Sequence, residues 1–281
     1  MKFQKPITEV IKMRTSCRTY DSKVIEEGII KKLNNYIEEI NLEAKAKARF
    51  IIINQNNKFN NSTQKIGTYG VISGANSYIV GIINNDIQDA VTFGYLFEKI
   101  ILFVTDLGLQ SCWLGGTFKR DDFVSLADLK ENEYIPIVSP IGYKKGKPRI
   151  FESAMRSVVG ANNRKLWNKL FFDGDISKFL NENTAGSYDV PLEMVRLGPS
   201  ASNKQPWRII KDNNMYHFYL CRTKGYGIAN YDIQKNDIGI AMCHFELTAN
   251  ELGLDGNWQK VDNINSHEEW EYVITWSAKI K

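Results

Sequence analysis

Apolar residues recur at helical spacing twice in this chain, and both recurrences end at a glycine. Phe93, Leu96, Phe97, Ile100, Ile101 and Val104 fall at i, i+3, i+4, i+7, i+8 and i+11, a wide apolar stripe on one helix. Ile238, Met242, Phe245, Ala249 and Leu252 repeat the stripe. Gly108 and Gly253 follow, each where a helix C′ residue belongs. A third helix, about Glu26 to Ile40, carries Ile29, Leu33, Ile37 and Ile40 on one face. Short β-branched runs predict strands at Phe50–Asn54, Tyr78–Ile83 and Ile135–Ile141, and again at Trp207–Lys211, Tyr216–Cys221 and Tyr272–Trp276. Asp212-Asn213-Asn214 predicts a hairpin between two of them. Each half reads as an α+β unit, helices packed on a mixed or antiparallel sheet. The polar segment Phe151 to Asp189, with its Asn and Gly clusters, predicts a linker between the halves.

The two helical stretches align without a gap at a constant offset of 145 positions. Gly94/Gly239, Leu102/Leu247, Leu107/Leu252, Gly108/Gly253, Leu109/Leu254 and Trp113/Trp258 are identical, where chance supplies roughly one or two matches. Shared amphipathicity explains the apolar period but not the shared LGLxxxW ending, so an internal duplication is expected. The halves are then residues 1–160 and 161–281, packed as one unit.

Composition narrows the class. The chain of 281 residues is 43% apolar and 24% charged, with a formal charge of +4 spread evenly along it. That profile fits a globular protein and announces no nucleic-acid partner. Cys17, Cys112, Cys221 and Cys243 lie far apart, which argues against a metal cluster or a disulfide framework. Met1 to Val10 has no apolar core of a signal peptide, and the most apolar stretch, Phe93 to Gly116, is interrupted by Glu98, Lys99 and Asp106. A cytoplasmic protein with no membrane partner is expected.

Candidate chemistry does not lie in catalytic side chains. There is no GxSxG elbow, no HExxH, no GxxxxGKS/T and no GxGxxG after a strand. Structural or surface roles are expected for all three histidines, His217, His244 and His267. Three polar stretches remain. Arg14, Ser16 and Arg18, if extended, project from one side at period two and suit a phosphate; a solvated basic turn is the plainer alternative. Pro199-Ser200-Ala201-Ser202-Asn203-Lys204-Gln205-Pro206-Trp207 offers donors and acceptors to a polar heterocycle or a polyol, or simply turns the chain after a helix. Gly115 and Gly116 let backbone N–H groups approach a flat ligand; the equivalent positions in the other half have no glycine.

Together these stretches resemble the nitroreductase family of flavoproteins. Arg14, Ser16, Arg18 and Tyr20 match its RxSxRF/Y motif, and Gly198 to Trp207 match APSxxNxQPW with only the leading Ala replaced. Leu107–Leu109, Gly115–Gly116 and Ile141–Tyr143 match the family's helix end, glycine loop and following strand. One departure matters: Arg14 and Pro199 are 185 positions apart, and neither half carries both motifs. The chain is similar to the branch in which two units are fused into a single-chain pseudo-dimer, which implies a monomer. The resemblance implies one composite FMN site. Arg14, Ser16 and Arg18 would hold its phosphate and ribityl end, with Arg164 completing the phosphate site in preference to Lys165. Pro199, Ser200, Ser202, Asn203 and Gln205 would reach across from the other half, while Gly115 and Gly116 turn a backbone N–H toward flavin N5. The implied activity passes hydride from NADH or NADPH through the flavin to an electron-poor small molecule such as a nitroaromatic or quinone. A non-catalytic flavin-binding or other small-ligand-binding protein is the alternative.

Overall fold

The computed structural model describes residues 2–55, 66–146, 163–228, 230–262, 264 and 267–279. In the first half α1 (Ile7–Met13), α2 (Glu27–Glu43), β1 (Ala48–Asn54), β2 (Ser77–Asn84), α3 (Ala90–Asp106), β3 (Gln110–Ser111), α4 (Arg120–Val124) and β4 (Glu133–Gly142) follow one another. In the second half come β5 (Phe171–Asp173), β6 (Asp175–Phe179), α5 (Asp189–Leu197), β7 (Trp207–Asp212), β8 (Met215–Cys221), α6 (Ile233–Glu251), β9 (Gly256–Gln259) and β10 (Trp270–Ala278). All six predicted strands and all three predicted helices are present. The Asn213-Asn214 turn closes the β7–β8 hairpin, with Asp212 opposite Met215 and Asn213 at φ +51°, the left-handed geometry such turns require.

The first sheet has the order β1-β2-β4-β3 and the second contains β7-β8-β10-β9, antiparallel throughout those strands. The order repeats because each half builds the same unit. Its central helix, α3 or α6, ends alike. Gly108 and Gly253 stand at φ +80° and +68°. Leu109 N donates to Val104 O and Leu254 N to Ala249 O, the six-to-one bond of a Schellman cap. The repeated LGL is therefore a helix terminator, with a leucine folded back under the last turn.

The halves differ at one edge. The second sheet gains β5, parallel to β7, and β6 beyond it. This overturns the linker expected over Phe151–Asp189 for residues 163–189; residues 151–162 lie outside the described residues. Polar composition hid a few large apolar residues, Trp167, Leu170, Phe171, Phe172 and Leu180, that are buried. The expected boundary between residues 160 and 161 lies outside the described residues.

Each unit buries its own aromatic core, Phe50, Phe93 and Phe97 under the first sheet and Trp207, Phe218, Phe245 and Trp276 under the second. Between them α3 crosses α6 at backbone distance. A Cβ on Gly94 would overlap the Asn236 carbonyl oxygen, and one on Gly239 the Val91 carbonyl oxygen. These two glycines are the aligned pair of the internal repeat. Among the described residues no helix is long and apolar enough to cross a membrane.

Substituting Gly239→Ala should therefore lower stability by about 2–3 kcal/mol in urea unfolding, because two helix backbones must part. Gly28→Ala, in α2 with open space around its Cα, should be neutral or stabilising by up to about 0.5 kcal/mol.

Candidate functional site

Arg14 ends α1, its N–H bonded to Val10 O. From there the chain runs extended beside β3: Ser16 pairs with Ser111 in a parallel bridge, and Cys17 N donates to Ser111 O at 2.9 Å. Pairing on that side makes residues alternate. Cys17 is buried in the apolar cluster under β2 and β4, whereas Arg14, Ser16 and Arg18 all line a cavity of about 720 Å³.

The glycine loop follows β3 and is bridged to β4. Leu114 exchanges backbone bonds with Val138, and Arg120 holds the loop through Gly115 O at 2.8 Å and Ile135 O at 3.0 Å. At Gly115 a Cβ would strike the Ile233 side chain and press on Ile137 and Ile228. Only glycine lets that isoleucine wall, drawn from both halves, close against the loop. A Cβ at Gly116 would meet no atom within 4 Å, so this exposed stretch of backbone faces open space.

The second half brings the Pro199–Trp207 loop, which starts where α5 stops. Three non-glycine residues in it adopt positive φ: Ser202 at +47°, Asn203 at +57° and Gln205 at +48°. Each costs on the order of 1 kcal/mol and needs fixing from outside the loop. The fixing is visible. Asp237 Oδ1 accepts from Ala201 N at 3.0 Å, and Ser200 Oγ accepts from Gln205 N at 2.8 Å. Arg164 donates to Asn203 Oδ1 at 2.5 Å and to Leu197 O at 3.0 Å. Pro199, Ser200, Ser202 and Asn203 thereby reach the same cavity as Arg14 and Gly115.

Gln205 does not reach it. Its carboxamide lies buried behind the loop, accepting from Lys165 N and donating to Asn163 O and Asn203 O. With its backbone at positive φ, its side chain braces the loop and does not line the cavity. Arg164 lines the cavity and Lys165, bonded to Gln205 O, does not.

Lys12, Arg14, Arg18 and Arg164 all line the cavity, and Arg14 lies close enough to Arg164 for their charges to repel. Burial, with the Arg14 and Arg196 guanidiniums adding to it, pulls the Arg164 pKa down to about 10. Arg164 stays protonated at neutral pH, and an anion entering the cavity relieves the crowding. Elsewhere the wall is apolar or neutral. Tyr226, between Gly225 and Gly227, bonds Ser202 Oγ at 3.0 Å, and Gln234 grips the loop through Tyr226 O and Thr223 O. Asn236 and Asp237 complete it from α6. The sequence reading missed these residues, although two adjacent polar groups inside the repeated apolar helix were a signal. A smaller cleft of about 430 Å³ beside α2, lined by Asn34, Asn35, Asn54 and Asn76, has one lysine and no guanidinium.

Behind the cavity one polar chain ties the halves together. Met194 O pairs with His244 Nδ1, His244 Nε2 with Glu98 Oε1, and Glu98 Oε2 with Trp113 Nε1, each at 2.9 Å. His244 and Glu98 are fully buried. Met194 precedes the Pro199 loop and Trp113 precedes the glycine loop, so α5, α6, α3 and β3 are braced where both loops begin.

The family model described as "Putative TM nitroreductase" matches residues 6–249. The chain belongs to this nitroreductase family. A "putative nitroreductase" from Thermotoga maritima shares its fold, at 19% identity and a TM-score of 0.57, covering 99% of this chain and 95% of that one. A nitroreductase family protein from Clostridium difficile aligns at 21% identity and a TM-score of 0.40, over 56% of this chain and 92% of that one. An FMN-dependent nitroreductase from Clostridium difficile aligns at 19% identity and a TM-score of 0.38, over 50% and 88%. No curated protein matches the chain. In this member of the family the motif residues of the two halves, separated by much of the sequence, line one cavity.

The brace behind that cavity makes a test. His244→Ala removes a partner from the buried Glu98 carboxyl and should cost about 3–5 kcal/mol in chemical denaturation. The paired change Glu98→Met with His244→Met should recover much of the loss, since neither polar group is then left alone.

Proposed function

We propose that the protein is an FMN-dependent oxidoreductase of the nitroreductase type, taking hydride from NADH or NADPH and delivering it to an electron-poor acceptor such as a nitroaromatic or quinone. One observation carries this reading. Cations and glycines of the first half share a single cavity with the Pro199–Asn203 loop of the second.

The residues fit the group. Arg14, Arg18 and Arg164 form a cationic corner suited to a phosphate, since guanidinium forks bind its oxygens in pairs. Ser16, Ser200 and Ser202 offer hydroxyls to a polyol chain, and Asn203 adds an amide. The bare backbone at Gly116 leaves room for a ring where a side chain would intrude. Gly115 and Gly116 would turn an N–H toward flavin N5. When bound, FMN supplies the hydride-transfer chemistry itself. The protein's own part is to bind, orient and keep water out. Ile137, Ile228 and Ile233 form the dry wall beside the loop, and the strained Ser202–Gln205 backbone is held before any ligand arrives, so little ordering is left to do on binding.

In this reading the chain is a duplicated unit that works as a monomer in the cytoplasm on small molecules, with one composite site and a lapsed counterpart. Positions equivalent to Gly115 and Gly116 are Lys260 and Val261. The Lys260 amine is bonded to Val273 O and rests 5.2 Å from the Tyr272 ring centroid, which fills the corresponding corner.

Purified protein should carry or take up one FMN per chain and bleach with NADH or NADPH under anaerobic conditions. Arg14→Ala should weaken FMN binding by about 10- to 100-fold, the loss of one charge-assisted bidentate contact. Bound flavin that neither nucleotide bleaches would point to the non-catalytic alternative. Two FMN per chain would overturn the composite site, and no uptake at all would overturn both flavin readings.

A further inference from the structure

Two polar side chains of the cavity wall have atoms that nothing among the described residues satisfies. Asp237 is 2% exposed and Asn236 1%. Asp237 spends Oδ1 on Ala201 N, and Asn236 spends Oδ1 on the Tyr231 hydroxyl. Among the described residues, Asp237 Oδ2 and Asn236 Nδ2 have no hydrogen-bond partner. Both residues line the cavity, on the first turns of α6. A buried polar atom left unpaired destabilises the fold, and a ligand hydrogen bond would remove that penalty.

Protonation follows from the surroundings. Burial pushes the Asp237 carboxyl well above the ordinary carboxylate range, and the Asp232 carboxylate pushes the same way against the Ala201 N–H bond. The Tyr226 hydroxyl feels Asp237 from the facing loop. Lys12, Arg14, Arg18 and Arg164 line the same cavity but are not among the charges acting on this carboxyl. The cavity thus offers both cations for an anionic group and buried hydrogen-bonding groups.

We propose that Asp237 is a ligand-reading acid, its Oδ2–H donating to an acceptor atom of the bound molecule while Oδ1 holds the Pro199–Gln205 loop. Asn236 Nδ2 supplies a second donor beside it. Two adjacent donors suit a flat heterocycle that presents carbonyl oxygens or ring nitrogens along one edge. The assignment rests on the flavin reading of the cavity, and it gives one residue two tasks, shaping the loop and recognising the ring.

The test is FMN titration, followed by fluorescence quenching, into apo-protein from about pH 5 to 9, the span over which buried carboxyls ionise. Wild type is compared with Asp237→Asn and Asp237→Val. Asparagine keeps an acceptor for Ala201 and a donor in place of Oδ2, so Asp237→Asn should bind within a few-fold of wild type at the acid end. Wild-type affinity should then fall with rising pH as Asp237 loses its proton and turns from donor to anion. Asp237→Asn should lack that fall, and subtracting the two profiles removes ionisation of the FMN phosphate common to both. Asp237→Val should lose about 10- to 100-fold at every pH, with thermal melts of Asp237→Asn guarding against loss of fold. Parallel pH profiles, or Asp237→Asn binding ten-fold or more weaker at the acid end, would overturn the proposal while leaving the flavin reading intact. Wild type that binds no FMN at any pH would overturn both.

Discussion

Two helices touch here at backbone distance, and the cavity exists because they do. Gly94 on α3 and Gly239 on α6 each lie against the other helix's carbonyl groups, with no room for a methyl. That crossing brings the α6 N-terminus, with Asn236 and Asp237, to the edge of the first unit. It also brings the glycine loop after α3 against Ile228 and Ile233 of the second. The Glu98–His244 pair then links the same two helices through their buried faces. A wider crossing would leave each half folded around its own aromatic core but would part the cavity walls.

The halves have unlike duties within this shared frame. The first supplies positive charge and a bare backbone. The second supplies a loop whose left-handed residues are held by side chains from outside it, Asp237 from α6 and Arg164 from the segment before β5. In the first half the turn between α2 and β1 takes the place of that loop. It contains Lys45 and Ala46 at positive φ and is flanked by ion pairs Lys99–Glu43 and Lys47–Asp89. At the position equivalent to Gly115, the Lys260 amine packs against Val273 O and the Tyr272 ring.

Much of this was legible along the chain because it depends on local period. The helices, the strands, the Asn213-Asn214 hairpin and the twin LGL terminators follow from spacing that a residue's own neighbours impose. The RxSxR and PSxxN stretches stood out too, though their residue types alone left a plain turn open and only the family resemblance joined them. Other features were hidden. β5 and β6 sit in a polar stretch whose few large apolar residues reveal strands only once a neighbouring sheet edge receives them. Gln205 belongs to the same motif as Ser200, yet with its backbone at positive φ its side chain braces the loop. Asp237 and Asn236 look like ordinary polar interruptions of a helix until the loop they serve is in view.

The sequence by itself determined the α+β units, their duplication and the chemical character of each motif, because propensity, capping and residue type are properties of short segments. Only the tertiary structure decided that Gln205 turns away from the cavity and that a buried acid stands at its wall, where motifs 185 positions apart meet as the resemblance implied. Those outcomes depend on which surfaces meet across the α3–α6 crossing. Burial there, by withdrawing water, turns a neutral arrangement of residue types into a place with unpaired donors and crowded cations.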